Sequence, residues 1–157
     1  MNISVFLNNL GANQAAYSTI TQLNNLYNTK QDVDITVFYN DLQRFCIQPH
    51  FGVMHAVEAW DQEGIGIATS FNTVEKLLGC PRLNPKIYYM WDLEFLRMNP
   101  KRYDVCRNII CHPKIELVVR SQSHQYLVEN NFNRQVNGII DNFNIEELLW
   151  HTDIKHK

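Results

Sequence analysis

Two carboxylates, Asp92 and Glu94, close the apolar run Ile87-Tyr-Tyr-Met-Trp91 with one residue between them. Residues two apart in an extended segment share a side. The pair can therefore act in general acid–base chemistry or offer oxygens to a divalent cation. A cation site, whether of the D-x-D type or that of a nuclease, needs further carboxylates converging on the point. None is visible in the sequence, so no metal is assigned. A second candidate is His55-Ala-Val-Glu58, because a histidine and a glutamate three apart on a helix share one face and make a base with an orienting carboxylate. Arg120 ends another apolar run, and its guanidinium fork suits phosphate or carboxylate. Ser70 stands at the end of a further such run. Ser121-Gln-Ser123-His124 is no triad, since neighbours at a helix start point in different directions and capping accounts for both serines.

The turn Asn8-Asn-Leu-Gly-Ala-Asn13 carries only Gly11 where a dinucleotide fingerprint would carry three glycines, so no dinucleotide cofactor is expected. Its amides and the side chains of Asn8, Asn9 and Asn13 can still face a polar ligand at a helix N-terminus. Cys46, Cys80, Cys106 and Cys111 show no paired short spacing of the kind zinc requires and read as free thiols.

These residues need elements to hold them. Asn2 to Leu7 reads as a buried strand. Ala16, Ile20, Leu23 and Tyr27 then recur at helical spacing behind an Asn13 cap, and Asp34 to Tyr39 is the next strand. A short strand near Phe51 to Met54 should run into a helix. Gly64 to Ser70 is a strand, and Asn72-Thr-Val-Glu75 opens a helix in the manner of a capping box. Ile87 to Trp91, Ile115 to Val119 and Val136 to Ile140 are strands. They alternate with helices begun by Asn99-Pro100 and by Ser121 or Ser123, and a last helix covers Ile145 to Trp150. Strict β-α alternation predicts one α/β domain over residues 1–152. Its architecture is a single open doubly wound, Rossmann-like, mostly parallel sheet with helices on both faces, ahead of a polar tail, 153–157, that frays.

Bulk properties agree with one compact core: 157 residues, 45% hydrophobic and 19% charged. A net charge of −2 with scattered Lys and Arg argues against nucleic-acid binding. No apolar run approaches the roughly 18–20 residues that span a bilayer, and the N-terminus opens into a strand without a basic leader, so a cytoplasmic protein is expected. The 18 asparagines, with many Ile, Tyr and Phe, are the bias of an AT-rich genome such as a phage's.

Ile115-Glu-Leu-Val-Val-Arg-Ser-Gln-Ser-His-Gln-Tyr-Leu127 followed by Val136-Asn-Gly-Ile-Ile-Asp-Asn-Phe-Asn144 resembles the end of the N-terminal domain of GT-B-type glycosyltransferases. There a strand ending in serine starts a helix, and the next strand delivers a Pro-Asn-Gly-like turn at the hinge to a second domain. Asp141-Asn142-Phe143-Asn144 stands at that turn, with neither proline nor glycine. Ile87 to Glu94 looks like the strand that ends in an acidic, acceptor-facing loop. The resemblance implies an acceptor-side half, with Asn8, Gly11, His55, Asp92 and Glu94 facing a glycan or nucleotide-sugar ligand and Ser121 and Asn142 near the hinge. It further implies that the donor-binding domain comes from a separately encoded partner and that this chain is inactive alone. The alternative is a non-catalytic binding or regulatory phage accessory protein acting through a homo-oligomer interface.

Overall fold

The structure is a computed structural model that describes residues 1–155, with side chains as far as His151. Seven strands form one sheet: β1 (Asn2–Asn9), β2 (Asp34–Asp41), β3 (Gly52–His55), β4 (Gly64–Ala68), β5 (Leu83–Met90), β6 (Ile115–Val119) and β7 (Gly138–Ile139). Their order is β3-β2-β1-β4-β5-β6-β7, and every neighbouring pair is parallel. Five helices flank it: α1 (Gln14–Thr29), α2 (Phe71–Leu78), α3 (Pro100–Ile110), α4 (Gln122–Phe132) and α5 (Ile145–Lys155).

Alternation along the strands sorts the apolar residues into two cores, one under each face. In β1, Ile3, Val5 and Leu7 point toward α1 and α5, meeting Ile20, Leu23 and Leu148. Phe6 points the other way and stacks on Phe38 at 5.2 Å, in the core built with Val74 of α2, Ile110 of α3 and Val128 of α4. Strands covered on both faces carry continuous hydrophobic runs, as in Val5-Phe-Leu7 of β1, Ile87-Tyr-Tyr-Met90 of β5 and Leu117-Val-Val119 of β6. This is the open doubly wound Rossmann-like sheet that the β-α alternation predicts. The chain builds outward from β1 to β3 and then returns to the far side of β1 with β4. Reversal there parts the flanking loops and leaves a crevice at the carboxyl ends of β1 and β4.

Local details depart from expectation for physical reasons. The segment after Met54 is not an α-helix but a six-residue 3-10 helix, Ala56–Asp61. Ala56 and Ala59, three apart, are its buried residues, and threefold spacing is what a 3-10 helix can bury. The start of α2 lies two residues ahead of the expected one: Ser70 is the N-cap and Thr73 its reciprocal partner, the Thr73 hydroxyl accepting from the Ser70 amide at 3.0 Å. Burial of Phe71 in the core pulls the helix start forward and leaves Asn72 exposed. β7 is shorter than Val136 to Ile140. The Val136 amide donates to Glu129 Oε1, and the Asn137 side chain accepts from the Leu117 amide at 2.8 Å in place of a ladder bond. Helix α5 continues to Lys155, taking in part of the expected tail, whose last two residues lie outside the described ones.

Candidate functional site

The crevice at the strand reversal has a volume of about 280 Å³. Asn8 and Asn9 from the end of β1, Thr69 and Ser70 after β4, and Trp91, Asp92 and Glu94 after β5 line it together with Asn13. Before any ligand is considered, these asparagines fold their own turn. Asn9 Oδ1 accepts from the Gly11 amide at 3.0 Å and from Asn13 Nδ2 at 2.9 Å, while Asn13 Oδ1 caps α1 by accepting from the Ala16 amide at 2.9 Å. Asn8 Oδ1 accepts from Asn40 Nδ2 at 3.3 Å. Gly11 belongs to the turn but not to the crevice lining. A β-carbon there would stand 2.2 Å from Gln43 Oε1, so the glycine makes room for the loop after β2. Thr69 Oγ1 donates to the Phe6 carbonyl at 3.1 Å and ties the end of β4 to β1 across the reversal.

Asp92 and Glu94 do not sit on an extended segment, because β5 ends at Met90 and Glu94 opens a second 3-10 helix, Glu94–Arg97. They nevertheless line the crevice jointly, and both also line an adjoining depression of about 540 Å³. Glu94 Oε2 accepts from the Phe71 amide at 2.6 Å, placing a carboxylate on the first turn of α2, and takes a long contact of 3.5 Å from the Tyr88 hydroxyl. Burial raises the Glu94 carboxyl above the usual carboxylate range. The Phe71 amide pulls it back, and neighbouring Asp92 pushes it further up. Tyr88 is fully buried, and that burial, with Glu94 beside it, holds the phenol well above its ordinary value, so it stays a hydrogen-bond donor. Among the described residues no group of three or more His, Cys, Asp or Glu is gathered as a metal would need.

The adjoining depression also draws in Asn72, Arg97, Arg102 and His124, which the sequence patterns did not single out as ligand groups. They come from the starts of α2, α3 and α4 and from the second 3-10 helix, so only the topology brings them together. Asn99-Pro100 did mark the start of α3, and that signal places Arg102 one turn in, its amide donating to Asn99 Oδ1 at 3.0 Å.

The remaining expected residues stand elsewhere. His55 lies at the end of the edge strand β3, four strand spacings of about 4.8 Å, or roughly 19 Å, from β5. Its ring accepts from the Val57 amide at 3.3 Å and meets the Asn40 carbonyl at 3.1 Å, so both nitrogens are occupied in capping the 3-10 helix and tethering β2. It shares no site with Asp92 and Glu94, contrary to the expected grouping. Arg120 stacks on the Trp91 ring at 4.5 Å, next to the crevice but not on its surface. Ser121 Oγ accepts from the His124 amide at 3.3 Å and caps α4. Asn142 adopts a left-handed conformation beyond β7, and its carbonyl accepts from Ser18 of α1 at 2.9 Å, away from the crevice.

Fold and site together define an open doubly wound parallel α/β domain with a polar crevice at its strand reversal. No protein-family model, curated protein or solved structure matches the chain. Among the described residues no helix is long and apolar enough to cross a membrane.

Proposed function

We propose that the chain is the acceptor-binding domain of a GT-B-type glycosyltransferase, working with a separately encoded domain that binds the nucleotide-sugar donor. The observation that carries this reading is the pairing of Asp92 and Glu94 at the crevice beside the amides of Asn8, Asn9 and Asn13. Carboxylates and carboxamides are the groups that accept from and donate to sugar hydroxyls, and the strand reversal is where open α/β sheets take ligands. The two depressions together are of the size that small-molecule sites occupy, roughly 300–1,000 Å³.

Glu94 is the general base in this reading. Its Oε2 is engaged by the Phe71 amide, which leaves Oε1 to receive the proton of an acceptor hydroxyl. That hydroxyl oxygen forms the new bond to the anomeric carbon of the donor as the bond from that carbon to the diphosphate oxygen breaks. The nucleoside diphosphate departs, and the proton passes from Glu94 to solvent. A carboxyl raised by burial is a stronger base than an exposed one, which suits proton abstraction near neutral pH.

The test mixes the chain with the product of its neighbouring gene and follows nucleotide-sugar turnover, with each component alone as control. Turnover by the mixture only is the expected result. Absence of turnover in every mixture, with tight self-association of the chain instead, overturns the reading in favour of a non-catalytic interaction protein.

A further inference from the structure

The crevice accounts for Asp92 and Glu94 but not for the cations beside them. We infer that the 540 Å³ depression next to the crevice is a phosphate subsite. It holds a phosphate monoester carried by the acceptor, whose reacting hydroxyl lies at Asp92 and Glu94. This deepens the acceptor reading and rests on it.

Arg97 and Arg102 both line the depression, and none of the ion pairs among the described residues includes either of them. Arg102 is braced by neutral groups: its Nη2 donates to Asn72 Oδ1 at 3.2 Å, and its guanidinium lies 5.9 Å from the centre of the Phe71 ring. Arg102 is near enough to Glu94 to draw its carboxyl down but forms no ion pair with it, so the guanidinium is not locked on a carboxylate and can turn to a ligand. His124 lines the same depression and forms part of its wall.

Charge decides which anion fits. A phosphate monoester carries about −1.5 to −2 near pH 7 and has three acceptor oxygens, so it can engage both guanidiniums more fully than a carboxylate can, while the Asp92 and Glu94 carboxylates of the same depression offset part of the arginines' charge. Asp92 and Glu94 both oppose a bare anion in the same space. The favoured ligand therefore presents a phosphate to the arginines and a hydroxyl to the carboxylates, as a sugar phosphate does.

The experiment titrates the whole chain with glucose 6-phosphate, inorganic phosphate and methyl glucoside while recording backbone amide resonances. Both phosphates should move the resonances of Asn72, Arg102 and His124, the sugar phosphate at lower concentration. Replacing both arginines, Arg97→Ala with Arg102→Ala, should weaken that binding on the order of tenfold or more, as loss of charge-assisted hydrogen bonds does. Both arginines are exposed, so the fold is not at stake, and an unchanged far-ultraviolet spectrum verifies it. No shift with either phosphate, or equal binding by the double variant, overturns the subsite. Methyl glucoside reports separately on Asn9 and Ser70. A response there without a phosphate response keeps the acceptor crevice and discards the subsite. Phosphate binding at Arg102 with no sugar contribution keeps the subsite and discards the sugar acceptor.

Discussion

Glu94 accepts from the first turn of α2 and, in the proposed transferase, also moves a proton, and two substitutions separate the two roles. Glu94→Leu removes the acceptor of the Phe71 amide, which donates at 2.6 Å beneath a buried aromatic ring. Leaving such a donor unsatisfied costs about 1–3 kcal/mol. The Tyr88 contact at 3.5 Å is too long to add much. For a chain of this length that loss lowers Tm by roughly 2–4 °C per kcal/mol. Glu94→Gln keeps an acceptor for Phe71 and gives up the charge. It forgoes about 0.3–1 kcal/mol of favourable interaction with the start of α2 but also removes the cost of burying an ionised carboxyl, so its stability at pH 7 should lie within about 1 kcal/mol of wild type.

Stability against pH gives the sharper readout. Glu94 titrates higher in the folded chain than in the unfolded one, where the carboxyl value is about 4.3. Between that value and the raised folded one the native state binds the proton more tightly, so this residue's contribution to unfolding free energy falls as pH rises through the window. Urea melts of wild type and Glu94→Gln across pH 4 to 8 should differ by that sloping component alone, the glutamine variant gaining relative stability toward high pH. If mixing with the partner domain yields the proposed transferase, Glu94→Gln should lose about 10²–10⁴ in kcat while staying folded. If Glu94→Leu melts with wild type, or if Glu94→Gln is as unstable as leucine, the cap is not what the carboxylate provides. If Glu94→Gln transfers sugar normally, the base lies elsewhere.

Three further substitutions probe the frame around this site. Tyr89→Phe removes a hydroxyl that donates to the Ile140 carbonyl at 2.7 Å and accepts from the Phe143 amide at 3.0 Å, so two buried backbone groups lose their partner. A loss of about 2–4 kcal/mol in urea unfolding is expected, and a loss below about 1 kcal/mol would mean the turn after β7 re-pairs without it. Gly66→Ala places a β-carbon 2.4 Å from Leu77 Cδ1 and 3.1 Å from Leu83 Cδ1 in the centre of the sheet. Overpacking of this kind costs about 1–3 kcal/mol, and differential scanning calorimetry should find a lower Tm. His55→Ala should leave kcat/KM of the reconstituted enzyme within about twofold, because the ring stands four strands from Glu94; a larger fall would put the edge strand in contact with a substrate.

Element type was legible wherever one periodicity dominated. β1, β5 and β6 each carry an apolar run, Val5-Phe-Leu7, Ile87-Tyr-Tyr-Met90 and Leu117-Val-Val119, because both faces are covered there, and α1 shows its stripe through Ala16, Ile20 and Leu23. Ambiguity lay where a segment satisfied two periods. Ala56 and Ala59 are three apart, a spacing an α-helix nearly allows and a 3-10 helix repeats without drift, and the six-residue length decided for the latter. The start of α2 was misplaced because Asn72 and Glu75 form a good local signal that burial of Phe71 overrides. Capping preferences are worth about 1 kcal/mol, and a buried phenylalanine outweighs that.

The site was legible in part, and the division follows from what a sequence can carry. Asp92 and Glu94 stood out because charges at the end of an apolar strand must face solvent or a ligand, and the topology put them at the reversal between β1 and β4. The asparagines of the first turn stood out by type, yet much of their hydrogen bonding is spent inside the turn, since short carboxamides satisfy nearby backbone donors first. Helix-start signals located Arg102 and His124 but nothing in the sequence grouped them with Arg97, for their elements meet only after the sheet is assembled. Local pattern reveals groups that one strand end gathers, while groups gathered from several helix starts emerge from strand order. The part of the site that sequence missed is therefore the cationic part, which only the assembled sheet brings beside the carboxylates.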